Sequence, residues 1–349
     1  MKKILLLIIV LCLAYQGWSQ STSCAQTLRL ATSTYEQGRL HELEGILSSC
    51  LSGDFTIEQK VAAYKLLTQA YIYLEEPKKA DETMLKLLET DHYFQINPEI
   101  DPAEFVALYK TFRTDPILAI GLKVGGAITL PTVISDYYVA DASHGTGAFS
   151  PGLGFTVGIS VEKEIGKREN KKIVLAPEIM YTTRSVTETS NLFGHDSTKL
   201  IGGNYSAIYK QSWLDINAIA RYKLKGNFNP YVGIGPGISF SLNQAAQLTT
   251  TGLTNTSVSG PDVDTKNSFN TTVLSVMAVA GARLRIGSIY VVAEIRYQQG
   301  LTNVINIGSR TNTEMVADYA GTFNNFRQSN VSGTLAVVYP IFKPIKLKN

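Results

Sequence analysis

Charged residues that stand alone between apolar neighbours are the clearest chemical signal in this sequence. The pattern recurs at Lys123, Glu178, Glu294 and Arg296. In an extended segment, side chains alternate between two faces, so such residues project to one face and their apolar neighbours to the other. Charges of both signs on a buried face form salt bridges, whereas water reaching the same groups would let ions pass along them. We predict the salt-bridged arrangement, with a narrow ion path as the alternative.

Five more charged residues share this face, near the ends of neighbouring segments that short turns connect. They are Glu162, Arg221, Lys223, Arg283 and Arg285. Because both signs are present, we expect pairing within the set rather than one strong field. The sequence therefore predicts a single interior cluster made of these nine charged residues.

Histidine, serine and glycine patterns give no indication of catalysis or metal binding. His144 and His195 stand in polar stretches without carboxylate or cysteine partners at metal-ligand spacing, and no serine lies in a nucleophile elbow. The run GIGPGIS lies within an alternating segment and no helix follows it. We expect its glycines to make room between side chains rather than to bind phosphate. No enzymatic activity, cofactor or metal is predicted.

Eight segments of alternating apolar and polar residues follow Pro116 and must position these charges. The connections between the segments alternate strictly between short and long. A closed transmembrane β-barrel with tight turns at one end and long loops at the other has this pattern. An eight-stranded barrel is only wide enough for its own side chains, so the charge cluster is expected to fill it. The predicted strands are Ile117–Leu130, Leu153–Ile165, Lys172–Val186, Ser212–Leu224, Phe228–Leu242, Thr271–Ile286, Ser288–Gln299 and Val331–Phe342.

Outward tyrosines favour a membrane barrel over a soluble one. Tyr222 and Tyr339 are expected near the short-turn end, and Tyr181 and Tyr297 near the long-loop end. Two such aromatic girdles mark the two interfaces of a membrane, so outer-membrane lipid is a predicted partner. In outer-membrane barrels the short turns face the periplasm, which places both chain ends there. The long loops, rich in Ser, Thr, Asn and Gly, are predicted to be solvated and external.

The start of the chain, MKKILLLIIVLCLAYQGWSQ, carries two lysines, an apolar run and small residues near its end. This is typical of an export signal, here residues 1–19, and the apolar run is shorter than the roughly 20 residues of a spanning helix. The net charge of +3 is small and dispersed, which argues against a nucleic-acid partner. The predicted fold is α+β multidomain: an all-α helical-hairpin domain (20–114), the barrel (115–343) and a periplasmic C-terminal tail (344–349).

The helical domain is predicted to contain two helical hairpins and a last helix that begins near Asp101. The second hairpin resembles one tetratricopeptide repeat, whose packing positions would be filled by Tyr64, Leu67, Tyr71, Leu74 and Ala80. It departs from that repeat where a closing proline is missing and where larger residues replace small ones. Stacked hairpins of this kind offer one face to peptides or proteins, whereas a generic packed spacer is the alternative.

Two cysteines remain after the predicted signal, Cys24 and Cys50. They lie near the start of the first expected helix and near the end of the second, and antiparallel helices bring such ends together. An exported protein meets an oxidising compartment, which favours a disulfide between them. A pair of buried thiols is the alternative.

Four features together resemble the PorT-like outer-membrane β-barrel proteins of Bacteroidota: the signal ending in GWSQ, the helical front domain, the FRTDPI junction and the strand VGIGPGISF. The resemblance implies a barrel and, for some members, a link to type IX secretion. We expect a non-enzymatic outer-membrane barrel that anchors a periplasmic interaction domain for periplasmic or outer-membrane protein partners. The alternatives are a barrel that binds or transports small solutes and a surface adhesin that acts through its long loops.

Overall fold

The computed structural model describes residues 21–135, 137, 147–166, 172–191, 204–226, 228–251, 257–311 and 323–347. The predicted signal peptide (1–19), His144 and His195 lie outside these ranges. The chain divides into two units: one comprises the sequence up to Pro116 together with the segment from Phe342 onward, and the other is Ile117–Ile341.

The second unit is a closed antiparallel barrel. Eight strands pair in the cyclic order β1–β2–β3–β4–β5–β7–β8–β9 and back to β1, which confirms the predicted eight-stranded barrel. The strands are β1 (Leu118–Ser135), β2 (Gly147–Ile165), β3 (Ile173–Asn191), β4 (Asn204–Lys223), β5 (Tyr231–Thr251), β6 (Ser257–Asp264), β7 (Thr272–Ile286), β8 (Ile289–Gly300) and β9 (Asn325–Ile341).

The ninth strand, β6, is an addition that the sequence pattern does not predict. It lies in a connection expected to be a long loop, and within the described residues it pairs only with the far end of β5. Strands β3, β4 and β5 are 19, 20 and 21 residues long, against the roughly 9–11 residues that cross a bilayer. Part of the long-loop end is therefore a folded extension of the barrel rather than solvated loop.

Side-chain alternation explains why these segments form a membrane barrel. Along β7 the positions from Val273 to Val279 alternate between buried and exposed, and the exposed positions are mainly apolar. Leu153, Ile234 and Ile295 on other strands are more than 60 % exposed on the outer face. A continuous apolar outer surface of this kind needs lipid to cover it.

Glycines in β5 make room for side chains inside the barrel. A Cβ added at Gly237 would lie 2.5 Å from Asn217 Oδ1 and 2.7 Å from Ser275 Oγ. We expect Gly237→Val to lower the free energy of unfolding by about 1–3 kcal/mol, because overpacking displaces its neighbours. Urea unfolding in detergent micelles measures this change. The control is Gly126→Val in β1, where a Cβ meets nothing within 4 Å, and equal losses for both variants would contradict the packing argument.

The helical unit contains five α-helices in the described residues, none of them long and apolar enough to cross a membrane. They are α1 (Ser21–Glu36), α2 (Leu43–Leu51), α3 (Ile57–Tyr73), α4 (Pro77–Thr90) and α5 (Ala103–Lys110). Gly38 ends the first helix with a φ of 78°, a value that glycine adopts without a steric penalty. Thr56 and Gln59 form a reciprocal capping box at the start of α3, and Pro77 occupies the first turn of α4.

The helices pack as hairpins around apolar cores. Leu67, Tyr71 and Ala80 are buried in one core, and Leu74 packs partly buried against it. Tyr64 instead packs against the core that α4 and α5 share. Burial raises the pKa of Tyr71, whereas the hydrogen bond that Glu44 accepts from this phenol lowers the pKa of the Glu44 carboxyl.

A disulfide joins Cys24 of α1 to Cys50 of α2, with 5.8 Å between their Cα atoms. The two cysteines are buried in the same core as Leu47 and Leu67. The bond therefore fastens the first hairpin at its open end.

The C-terminal residues, a separate tail in the sequence-based prediction, belong to the helical unit. Phe342 stacks on His92 of that unit, with ring centroids 4.9 Å apart. Lys346 lies 2.5 Å from Asp81 and forms an antiparallel β-bridge with Phe112. The barrel is thus inserted into the sequence of the helical unit, which the two ends of the chain build together.

Candidate functional site

Four charged side chains meet at the middle of the barrel interior. Lys123 Nζ lies 2.7 Å from Glu178 Oε2 and 3.4 Å from Glu294 Oε1. Arg296 donates a 2.6 Å hydrogen bond to each oxygen of Glu178 and a 2.5 Å bond from Nε to Glu294. All four side chains are at most 7 % exposed. Each of the two carboxylates is therefore shared between at least two cations.

The barrel register places these groups. Lys123 in β1 faces Gly158 of β2, which leaves space for the long side chain to cross the interior. Glu294 and Arg296 are two residues apart in β8 and so share the inward face. Two neutral donors complete the site: the Asn217 amide donates to Glu178 at 3.2 Å and the Tyr231 hydroxyl to Glu294 at 2.6 Å.

The network continues toward the short-turn end. Arg221 lies 3.1 Å from Glu294 and 2.6 Å from Glu162, so it links two levels of the barrel. Arg283 also pairs with Glu162. Seven of the nine predicted residues are thus joined in one continuous network, which we call the charge network: Lys123, Glu162, Glu178, Arg221, Arg283, Glu294 and Arg296.

The other two predicted residues lie at the rim. Lys223 pairs with Glu164, a residue that the sequence prediction did not include. Arg285 is an even number of residues from the inward-facing residues of β7, so it lies on the same side of the strand. It is nevertheless exposed, because β7 ends one residue later. The alternation of residues along a strand shows which side chains point inward, but it does not show where the barrel interior ends.

The barrel contains a second buried ion pair that the sequence analysis did not predict. Arg184 of β3 lies 2.8 Å from Asp215 of β4, and both groups also bond to Ser239 of β5. The alternation along β3 could have revealed it, because Arg184 is six residues from Glu178 and therefore points to the same face of the strand. This pair lies between the charge network and the long-loop end.

Aromatic and aliphatic side chains fill the long-loop end of the interior. Trp213 and Tyr209 of β4 and Phe326 of β9 are fully buried, together with Phe269 and Phe323 from the connections. The complete set, which we call the outer core, is Val186, Ala207, Tyr209, Trp213, Ala246, Leu248, Val263, Phe269, Val273, Val304, Ile305, Phe323 and Phe326. The residues of the outer core that come from the long connections are therefore packed, which corrects the expectation that these connections are solvated throughout.

Two cavities flank the charge network. A small one of about 20 Å³ touches Asp215, Asn217 and Arg296 on the side of the outer core. A larger one of about 120 Å³ lies at the short-turn end, beside Arg221, Lys223 and Arg283. No group of three or more potential metal ligands occurs in the part of the chain that the structure describes.

The girdle tyrosines lie on the outer face. Tyr222, Tyr297 and Tyr339 are 43–55 % exposed, and Tyr181 is half-buried with its hydroxyl 3.0 Å from Ser212 Oγ. Tyr222 pairs with Ile173 at the first residue of β3, whereas Tyr181 lies further along that strand toward the long-loop end. The tyrosines of β3 and β4 thus stand at different heights on the barrel.

The barrel resembles several solved outer-membrane proteins at low sequence identity. Neisserial surface protein A (NspA) is 13 % identical, with a TM-score of 0.28, and the match covers 64 % of this chain and 99 % of that one. OprG from Pseudomonas aeruginosa is 11 % identical, with a TM-score of 0.35, and 66 % and 98 % of the two chains are covered. Ail from Yersinia pestis is 12 % identical, with a TM-score of 0.25, and 66 % and 99 % are covered.

No curated protein matches the chain. The family model described as outer membrane protein beta-barrel domain matches residues 116–306. That match spans more than half of the 349 residues and every strand from β1 to β8. The protein belongs to the outer membrane protein β-barrel domain family.

Proposed function

We propose that this protein is a non-enzymatic outer-membrane anchor whose barrel holds a periplasmic helical unit that binds protein partners. The observation that carries the proposal is the filling of the barrel at two levels. The charge network occupies its middle and the outer core occupies its long-loop end. A barrel filled in this way has the properties of a scaffold rather than of a pore.

The order of the chain supports a periplasmic position for the helical unit. It is connected before β1 and again after β9, and both connections leave the barrel at the end where β7 turns into β8 at Gly287. Short turns of outer-membrane barrels face the periplasm. We therefore place the helical unit in the periplasm and the extended ends of β3–β6 outside the cell.

Exposed apolar side chains of the helical unit support a role in binding proteins. Leu30 of α1 and Ile57 of α3 are 56 % and 65 % exposed, although the hairpins have their own buried cores. Packed hairpins bury one face and offer the other to partners. We propose components of a type IX secretion or envelope-assembly system as the partners, on the basis of the sequence resemblance to PorT-like barrels.

The proposal is tested by crosslinking in isolated outer membranes and identification of the captured proteins. The full-length protein is compared with Leu30→Glu and Ile57→Glu, and with Ile307→Glu as the control. Ile307 is 64 % exposed but lies in the connection after β8. We expect the helical variants to lose envelope components that the control retains. Identical captured sets for all three variants would contradict the proposal.

Transport of small solutes is the competing function, and a conductance measurement distinguishes it from the anchor function. We expect the full-length protein in planar bilayers to show no steady conductance, because both fillings lie across the interior. A stable conductance that changes in Arg296→Ala or Lys123→Ala would favour transport and overturn the anchor.

The folded outer extension favours surface binding as a second candidate function. Strands β5 and β6 continue the barrel beyond the membrane zone, and Lys210 and Asp262 pair across its surface at 2.9 Å. Such an ordered surface suits contact with another cell or molecule. Loss of cell-surface binding in Ile307→Glu, with the helical variants unchanged, would support this adhesin role over the periplasmic one.

A further inference from the structure

The cavity at the short-turn end of the barrel is lined mainly by groups that bind anions. Its walls include Glu164, Arg221, Lys223, Asn229, Arg283 and Tyr290. Its volume of about 120 Å³ exceeds the roughly 30 Å³ that one water occupies in the liquid, so a polyatomic ion fits. Lys223 and Glu164 keep 36 % and 23 % of their side chains exposed, so the cavity is in contact with solvent.

Cations outnumber carboxylates in the charge network and the rim pair. The charge network and the rim pair contain five cations: Lys123, Arg221, Lys223, Arg283 and Arg296. They contain four carboxylates: Glu162, Glu164, Glu178 and Glu294. Three of the five cations, Arg221, Lys223 and Arg283, line the cavity, whereas Glu164 is the one carboxylate among its lining residues.

Arg221 adds a donor that its protein partners leave unused. Arg221 is only 2 % exposed, and its Nε atom is buried without a hydrogen-bond partner among the described residues. The guanidinium also lies over the Tyr231 ring, 5.0 Å from its centroid. A buried charged donor without an acceptor costs free energy, which an anionic ligand in the adjacent cavity would recover.

We propose that this cavity binds a phosphate group. Guanidinium groups bind tetrahedral oxyanions through paired hydrogen bonds, and a lysine ammonium adds a point charge. Arg221, Arg283 and Lys223 supply these donors from β4 and β7, while the side chains of Asn229 and Tyr290 supply neutral ones. The phosphate belongs either to a soluble ion or to a lipid headgroup, which reaches the same end of the barrel from the inner leaflet.

Calorimetry on the full-length protein in detergent micelles, titrated with inorganic phosphate, tests the site. We expect wild type to bind, Lys223→Gln to bind at least about tenfold more weakly, and Lys223→Arg to stay within about threefold of wild type. Lys210→Gln removes the same charge from the exposed pair with Asp262 and should bind as wild type does. Absence of binding to wild type, or an equal loss in Lys210→Gln, would overturn the site.

A second arm separates the two sources of phosphate. The protein is placed in nanodiscs with or without phosphatidic acid, and binding of inorganic phosphate is measured by ³¹P line broadening. Loss of broadening with phosphatidic acid in wild type assigns the site to a lipid headgroup, and unchanged broadening assigns it to a soluble ion. Broadening that persists in Lys223→Gln with no change in affinity would refute both assignments.

Discussion

Glu178→Gln is expected to lower the free energy of unfolding of the barrel by about 3–5 kcal/mol. The side chain of Glu178 is fully buried, and it accepts hydrogen bonds from Lys123, Arg296 and Asn217. Glutamine keeps the volume but removes one of the two carboxylate charges that Lys123 and Arg296 share, so the two buried cations are left with Glu294 alone between them. Urea unfolding followed by the fluorescence of Trp213 measures the change.

The matched control for this prediction is Glu164→Gln. Glu164 pairs with Lys223 at the rim, where the two side chains are 23 % and 36 % exposed. Partly exposed pairs contribute less than about 1 kcal/mol, so the control should unfold close to wild type. Similar losses in both variants would mean that burial does not determine the strength of the network.

Trp213→Ala is expected to cost about 3–5 kcal/mol, because it leaves a large cavity in the outer core. Trp213 is fully buried, its indole nitrogen donates to Gln211 at 2.9 Å, and the Arg184 guanidinium lies 5.2 Å from its ring centroid. Thermal unfolding followed by circular dichroism measures the loss.

The control for Trp213→Ala is Phe228→Ala, at the short-turn end, where the ring is 63 % exposed. A surface substitution of this kind changes stability by about 0.5 kcal/mol or less. We also expect Trp213→Ala to remain non-conducting in planar bilayers, since the charge network still fills the middle of the barrel. A steady conductance in this variant would show that the outer core alone closes the interior.

The sequence could predict the barrel because period two and alternating connection lengths are local properties of the chain. Parity alone placed Glu178 and Arg296 on the inward face. It could not predict which carboxylate meets which cation, because that depends on the register between strands such as β3 and β8, which are far apart in the sheet. The link from Arg221 to both Glu162 and Glu294 is a property of the closed barrel only.

The outer core was not predictable for a different reason. Phe269 and Phe323 stand among polar residues in connections, and only the folded extension gives them a common interior. Strand β6 has the sequence SVSGPDVD, whose glycine, proline and aspartates disfavour strands. It forms because β5 extends far enough to pair with it.

The barrel sequence lies between the two parts of the chain that form the helical unit, so the helical unit cannot be completed until the barrel has been synthesised. Lys346 contacts Asp81 and Phe112, residues made more than two hundred positions earlier on the ribosome. The helices are therefore synthesised first but receive their last packing partners only after the final strand has been made. A protein truncated within the barrel would therefore contain all of its helices and still have an incomplete helical unit, because the contacts of Phe342 and Lys346 would be missing.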